Sequence, residues 1–185
     1  MRTVILMRII IFVLLTLSTI VSAQDSDFDT TQFLAYRGDF DAQFDLGVMY
    51  DSGLGVPENG AEAIKWFRLA AAQGSLRAQI ELGAKYYSGL GVTQDAAEAV
   101  KWFRLAAEQG APGAQYMLGI MYNNGEGVPE NYLTAYVWSS VSAAQGNQNA
   151  KSNTDIIKNR LTNEQLAQGQ TLASTCFESN FKDCP

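Results

Sequence analysis

Apolar and polar positions alternate along this chain with the period of a helix, and the pattern returns in blocks. Ala42, Leu46, Met49 and Tyr50 follow i, i+4, i+7 and i+8, which places them on one helix face. Gly53 stands where that helix should stop, because glycine accepts the left-handed conformation of a helix C-cap. Pro57 fits the start of a second helix, whose apolar face is Ala63, Trp66, Phe67 and Ala70 and whose end is Gly74. The same helix pair recurs after 36 and 72 residues: Gly47, Gly83 and Gly119 are in register, as are Trp66, Trp102 and Trp138, and Gly74, Gly110 and Gly146. The turn Gly53-Leu54-Gly55-Val56 returns as Gly89-Leu90-Gly91-Val92 and as Gly125-Glu126-Gly127-Val128. Self-similarity at such a period predicts stacked helical repeats, a class that binds other proteins along an extended surface.

The start signals agree. Asp39, Ser75 and Asn147 precede successive first helices and are favoured N-caps. Ala111 is not, but Pro112 follows it and suits a first helical turn. Glycine inside a helix costs about 1 kcal/mol relative to alanine. Its return at 47, 83 and 119 therefore predicts a close approach by the partner helix, with the three tryptophans as the large residues nearby.

The boundaries that follow are a leader at 1–23, a start segment and N-terminal cap helix at 24–38, repeats at 39–74, 75–110 and 111–146, and degenerate C-terminal capping helices at 147–185. Gln24 to Asp27 is expected to lack order, and 30–36 sits in second-helix register. Thr162 followed by Gln165 is a capping box that opens a last helix.

The leader reading rests on Arg2 and Arg8, the apolar run from Ile9 to Ile20, and the small residues of Val21-Ser22-Ala23. That order is a secretory signal peptide. The alternative is an uncleaved anchor, for which the run is short. Cleavage would start the protein at Gln24 and place it in the periplasm or outside the cell, with no stable membrane insertion afterwards. The formal charge would go from -6 to -8, since two arginines and no acids are lost. An acidic chain repels phosphate backbones, which argues against nucleic acid as a partner.

Cys176 and Cys184 are the only cysteines. In an exported chain a nearby pair is most simply a disulfide. A metal pair and a redox-active dithiol are the alternatives. There is no histidine to complete a common zinc set, and the spacing is not Cys-x-x-Cys. The lack of histidine also excludes Ser-His-Asp and Cys-His nucleophile systems. Asp25, Asp27 and Asp29 alternate like a calcium loop, but Thr30 and Tyr36 stand where its glycine and glutamate belong. No cofactor is called for. Lys65, Arg68, Lys101 and Arg104 recur on the second helices behind Glu62 and Glu98 and read as solvated faces with weak helix ion pairs.

The pattern Ala-Gln-x-x-Leu-Gly-x-x-Tyr, Gly-x-Gly-Val, Ala-x-x-Trp-x-x-x-Ala-Ala-x-x-Gly is very similar to the Sel-one-like repeat (SLR) family, a relative of the tetratricopeptide repeat. The third copy departs at Val137, Ser140 and Ser142. The resemblance implies an all-α, right-handed solenoid of antiparallel helix pairs. It also implies a scaffold or adaptor that binds a protein or peptide, often in the bacterial envelope. A cysteine-rich branch of the family is associated with β-lactams, which makes a cell-wall or β-lactam-acting enzyme the alternative. That branch carries cysteine pairs inside its repeats, and this chain has none there.

Aligned on the related tetratricopeptide concave face, the resemblance implies partner-binding positions at Phe44, Val48 and Asp51, at Ile80, Ala84 and Tyr87, and at Tyr116, Ile120 and Asn123. An apolar strip flanked by polar residues suits an amphipathic helix or an extended peptide. Two other outcomes remain open: the strip is buried as core, or the C-terminal helix covers it.

Overall fold

Nine helices make up all the regular structure of residues 27–185, the part of the chain that the computed structural model describes. Within the described residues helix α1 covers 27–36. It is followed by α2 (Phe40–Ser52), α3 (Gly60–Ala72), α4 (Leu76–Ser88), α5 (Ala96–Glu108), α6 (Pro112–Asn124), α7 (Tyr132–Ala144), α8 (Gln148–Lys158) and α9 (Asn163–Glu178). The expected leader and the position Gln24 lie outside the described residues. Asp27, expected to lack order, is already helical. Phe28, next to it, packs edge-on against Tyr50 at 6.1 Å and ties this part of α1 to α2. The helical setting of Asp27 and Asp29 also removes the loop that a calcium site of this type would need.

Local chemistry sets the helix ends. Asp39 accepts from the Ala42 amide at 2.8 Å, and Asn147 from the Ala150 amide at 3.1 Å. Ala111 makes no side-chain cap, and Pro112 opens α6 instead. The second helices do not open at proline. Asn59, Asp95 and Asn131, again 36 apart, accept from the amides of Glu62, Glu98 and Thr134. Their own amides donate to the carbonyls of Tyr50, Tyr86 and Tyr122, so the turn is closed before the helix starts. Pro57 therefore lies in the turn, three residues ahead of α3.

The described chain divides into two compact units after Ala70, within α3. In the first unit, Ala35, Ala42, Leu46, Met49 and Trp66 form a buried cluster, with Tyr36 edge-on to Trp66 at 5.2 Å. In the second unit α4 packs on α5, α6 on α7, and α7 on both α8 and α9.

The helix glycines are indeed sites of close approach, but the tryptophans are not what approaches. A Cβ on Gly47 would lie 2.7 Å from the Phe67 ring, and one on Gly83 would lie 2.7 Å from the Phe103 ring. On Gly119 it would meet the Ser139 hydroxyl. The residue in contact stands one position beyond each tryptophan, about 100° further round the helix. In the third repeat a serine fills the space of the phenylalanine, and Asn153 donates to its hydroxyl at 3.0 Å.

A second series runs through the buried glutamines of each Ala-Gln pair. Gln43, Gln79 and Gln115 are all nearly inaccessible. Each donates its side-chain amide to a carbonyl at the end of the preceding second helix: Ala35, Ala71 and Ala107, at 3.2, 3.3 and 3.1 Å. Gln109 and Gln145 in turn donate to Gln79 and Gln115 at 2.7 and 2.6 Å. Each of these helix-end carbonyls also accepts from a backbone amide, of Gly38, Gly74 and Gly110, so the glutamine adds a second donor and ties each first helix to the end of the helix before it.

At the far end the Thr162–Gln165 capping box is present, with both of its hydrogen bonds made. Helix α9 lies close to α7 through Gly169, where a Cβ would stand 2.7 Å from the Tyr136 ring. Cys176, fully buried, is joined to Cys184 in a disulfide with Cα atoms 4.7 Å apart. The tail this bond holds is docked at two further points. Phe181 packs on Gly110 and edge-on to Phe177, and the Pro185 main-chain oxygen accepts from both Arg104 and Trp138. Arg104 is therefore not part of a solvated face: it is half-buried and also donates to the Tyr122 hydroxyl.

Candidate partner-binding groove

Helices α4 and α6 of the second unit leave an apolar groove of about 590 Å³ between them. Ile80, Ala84 and Tyr87 form one wall, Tyr116 and Met117 the other, and Phe103 of α5 lies beneath. The depth follows from the repeat. Gly83 lets Phe103 sit directly against α4, so Ile80 and Ala84 project past it. Gly113, where an added Cβ would meet nothing, leaves the opposite wall low at the start of α6. Leu90 of the following turn, largely exposed, closes one end.

Four of the expected positions therefore come together here: Ile80, Ala84, Tyr87 and Tyr116. Ile120 and Asn123, further along α6, are half-buried and fall outside the lining. In the first unit Val48 is exposed and Asp51 half-buried, both on α2. Phe44 is a correction. It is only 5% exposed, with its ring 5.4 Å from that of Phe67. The large ring turns inward over the space that Gly47 opens, so Phe44 is core and cannot meet a partner. No residue of α8, α9 or the tail lines the groove, so Ile80 and Tyr116 are not covered from that side.

Sequence reasoning missed the groove residues Leu90, Phe103, Ala114 and Met117, and also Glu126 just beyond the rim. The Tyr87 hydroxyl donates to the Glu126 carboxylate at 2.9 Å. That hydrogen bond raises the phenol pKa above its ordinary value, with smaller contributions from partial burial and from the carboxylate charge. The available signal was Glu126 itself, which replaces the leucine of the other two turns.

Chemical groups elsewhere are engaged structurally. Lys65 pairs with Glu62 at 2.5 Å and Lys101 with Glu98 at 2.8 Å, exposed pairs of small energetic weight. One serine–lysine spacing, Ser179 to Lys182, is present in the tail. Its hydroxyl donates to the Cys176 carbonyl and accepts from the Asp183 amide, both at 3.0 Å, which makes it part of the turn. Among the described residues no group of three His, Cys, Asp or Glu side chains could hold a metal ion. No described helix is long and apolar enough to cross a membrane.

The Sel1 repeat family model matches residues 40–75, 76–110 and 112–147. Among solved structures, the chain is similar to a Sel1 repeat protein from Oxalobacter formigenes, with 37% identity, a TM-score of 0.61, and coverage of 65% of this chain and 49% of that one. It is also similar to a protective antigen present in uropathogenic Escherichia coli strains that displays an SLR fold. There the identity is 29% and the TM-score 0.63, covering 83% of this chain and 42% of that one. The chain thus spans about half or less of the length of either. No curated protein is significantly similar to it.

Proposed function

This chain belongs to the Sel1 repeat family of α-solenoids, and on that premise we propose that it is an exported protein-interaction scaffold of the bacterial envelope. Members of the family are generally protein-interaction scaffolds, and the fold is typically non-catalytic. The groove between Ile80 and Tyr116 receives an apolar segment of a partner protein. The observation that carries this reading is the groove itself: an open apolar surface, lined from two successive repeats, of a size to take one or two large side chains. Burying such side chains stabilises a complex by about 1.5–3 kcal/mol each. Export is supported by the basic, apolar, small-residue order of residues 1–23 and by the Cys176–Cys184 disulfide, a bond favoured in oxidising compartments. On this reading the protein works in the periplasm or outside the cell.

The test is a pull-down from envelope extract with residues 24–185 as bait, beside the same bait carrying Ile80→Asp. The expected result is a partner retained by the unmodified bait and lost with Ile80→Asp at an unchanged melting temperature. Equal retention by both baits would exclude the groove as the binding surface. N-terminal sequencing of the exported protein checks the cleavage, which should leave Gln24 first.

A further inference from the structure

Glu126 interrupts the repeat beside the groove. Its counterparts are Leu54 and Leu90. The turn that carries it is held hard against the start of α5, where a Cβ on Gly127 would run into the backbone of Ala96 and Ala97. The carboxylate is fixed by two donors, the Tyr87 hydroxyl and the Asn124 side-chain amide, each at 2.9 Å. A carboxylate offers about four lone-pair positions, so about two stay open for a donor from outside. Asn123 donates to the Asn124 side-chain oxygen at 2.9 Å, which orients the amide that holds Glu126. The rim of the groove beside Tyr87 thus presents the open positions of the Glu126 carboxylate, and among the described residues no basic side chain is paired with it. The chain as a whole carries a net charge of -6, which favours the approach of basic partners.

We propose that the groove selects a segment that joins a large apolar side chain, seated between Ile80 and Tyr116, to an arginine or lysine that pairs with Glu126. The inference rests on the groove reading above and adds its chemistry of recognition. An apolar groove by itself binds without direction. A fixed charge at one end sets the register and orientation of the segment and rejects acidic ones.

The probe is a set of fluorescent ten-residue peptides in which two leucines and one arginine are walked through all positions. Each has partners carrying glutamine or glutamate in place of the arginine, and binding to the purified protein is followed by anisotropy. The best arginine peptide should bind at least about tenfold more tightly than its glutamine partner, equivalent to about 1.4 kcal/mol, with the glutamate peptide weakest. Salt should shrink the difference. Glu126→Gln should bind arginine and glutamine peptides alike. Glu126→Leu, which restores the residue of the other two turns, should do the same and serves if the glutamine variant folds poorly. Ile80→Asp should lose all of them. If arginine and glutamine peptides bind the unmodified protein equally and Ile80→Asp abolishes both, the Glu126 anchor is wrong and the groove stands. If no peptide binds, or Ile80→Asp binds as well as the unmodified protein, groove and anchor fall together.

Discussion

Arg104 donates a hydrogen bond at 2.9 Å to the main-chain oxygen of Pro185, 81 residues further along the chain. Trp138 donates to the same oxygen at 3.1 Å, and the guanidinium lies 5.8 Å from the ring centroids of both Trp138 and Tyr122. The tail therefore completes the packing of α5 and α7, and the disulfide holds it in reach.

Loss of that bond should be felt at the far contact. Cys184→Ser should lower stability by about 2–3 kcal/mol, the loop-closure value for a short loop. Arg104→Ala should lower it by about 1–2 kcal/mol through the lost charge-assisted hydrogen bond. Because both act through one tail, the double variant should fall short of their sum. Urea unfolding followed by tryptophan fluorescence measures all three, and strict additivity would contradict the tail contact.

Gly83→Leu should destabilise by about 2–3 kcal/mol through overpacking against Phe103, despite a helix-propensity gain of just under 1 kcal/mol. Shortening the opposing side chain with Phe103→Ala should recover part of that loss, a coupling that a thermal melt of the single and double variants reads directly. Trp102→Ala should not relieve it, since the tryptophan is not the residue in contact.

The buried glutamines should resist replacement by apolar residues of similar size. Gln79→Leu removes one of the two donors to the Ala71 carbonyl, leaving the Gly74 amide, and one of the two acceptors of the Gln109 side-chain amide, leaving the Gly74 carbonyl. About 0.5–1.5 kcal/mol should be lost for each hydrogen bond removed, the usual net value where the remaining groups keep another partner. Chemical denaturation of the purified variant checks this, and an unchanged midpoint would show that the ladder contributes nothing.

Tyr87 should make stability fall at high pH. Its phenol pKa is raised in the folded state, so the folded protein holds that proton more tightly than the unfolded chain does. The contribution is fully present below the unfolded value of about 10 and is lost as pH rises through the higher folded value. The difference in melting temperature between the unmodified protein and Tyr87→Phe should shrink across that range; a constant difference would mean the Glu126 bond does not hold the proton.

The period, the helix ends and the capping box were legible in the sequence because each depends on a few neighbouring residues. A left-handed glycine at 53, 89 or 125 and a capping side chain at 39 or 162 act within one turn of chain, whatever the tertiary context. The caps at Asn59, Asp95 and Asn131 carried the same local signal at the same spacing. Close approach at Gly47, Gly83 and Gly119 was legible too, since an unfavourable residue kept in register implies a packing gain. Which residue fills that approach was decided by the rotation of one helix against another. Trp66 and Phe67 are adjacent and both apolar, and only the packed phase turns Phe67 to the glycine and Trp66 to Ala35 and Leu46. The same geometry buried Phe44 while leaving Ile80, its counterpart one repeat on, at the wall of an open groove. It also drew Arg104, whose lysine neighbour Lys101 faces water, into contact with Pro185. No local rule connects residues 81 positions apart; such a contact exists only once the helices between them have stacked.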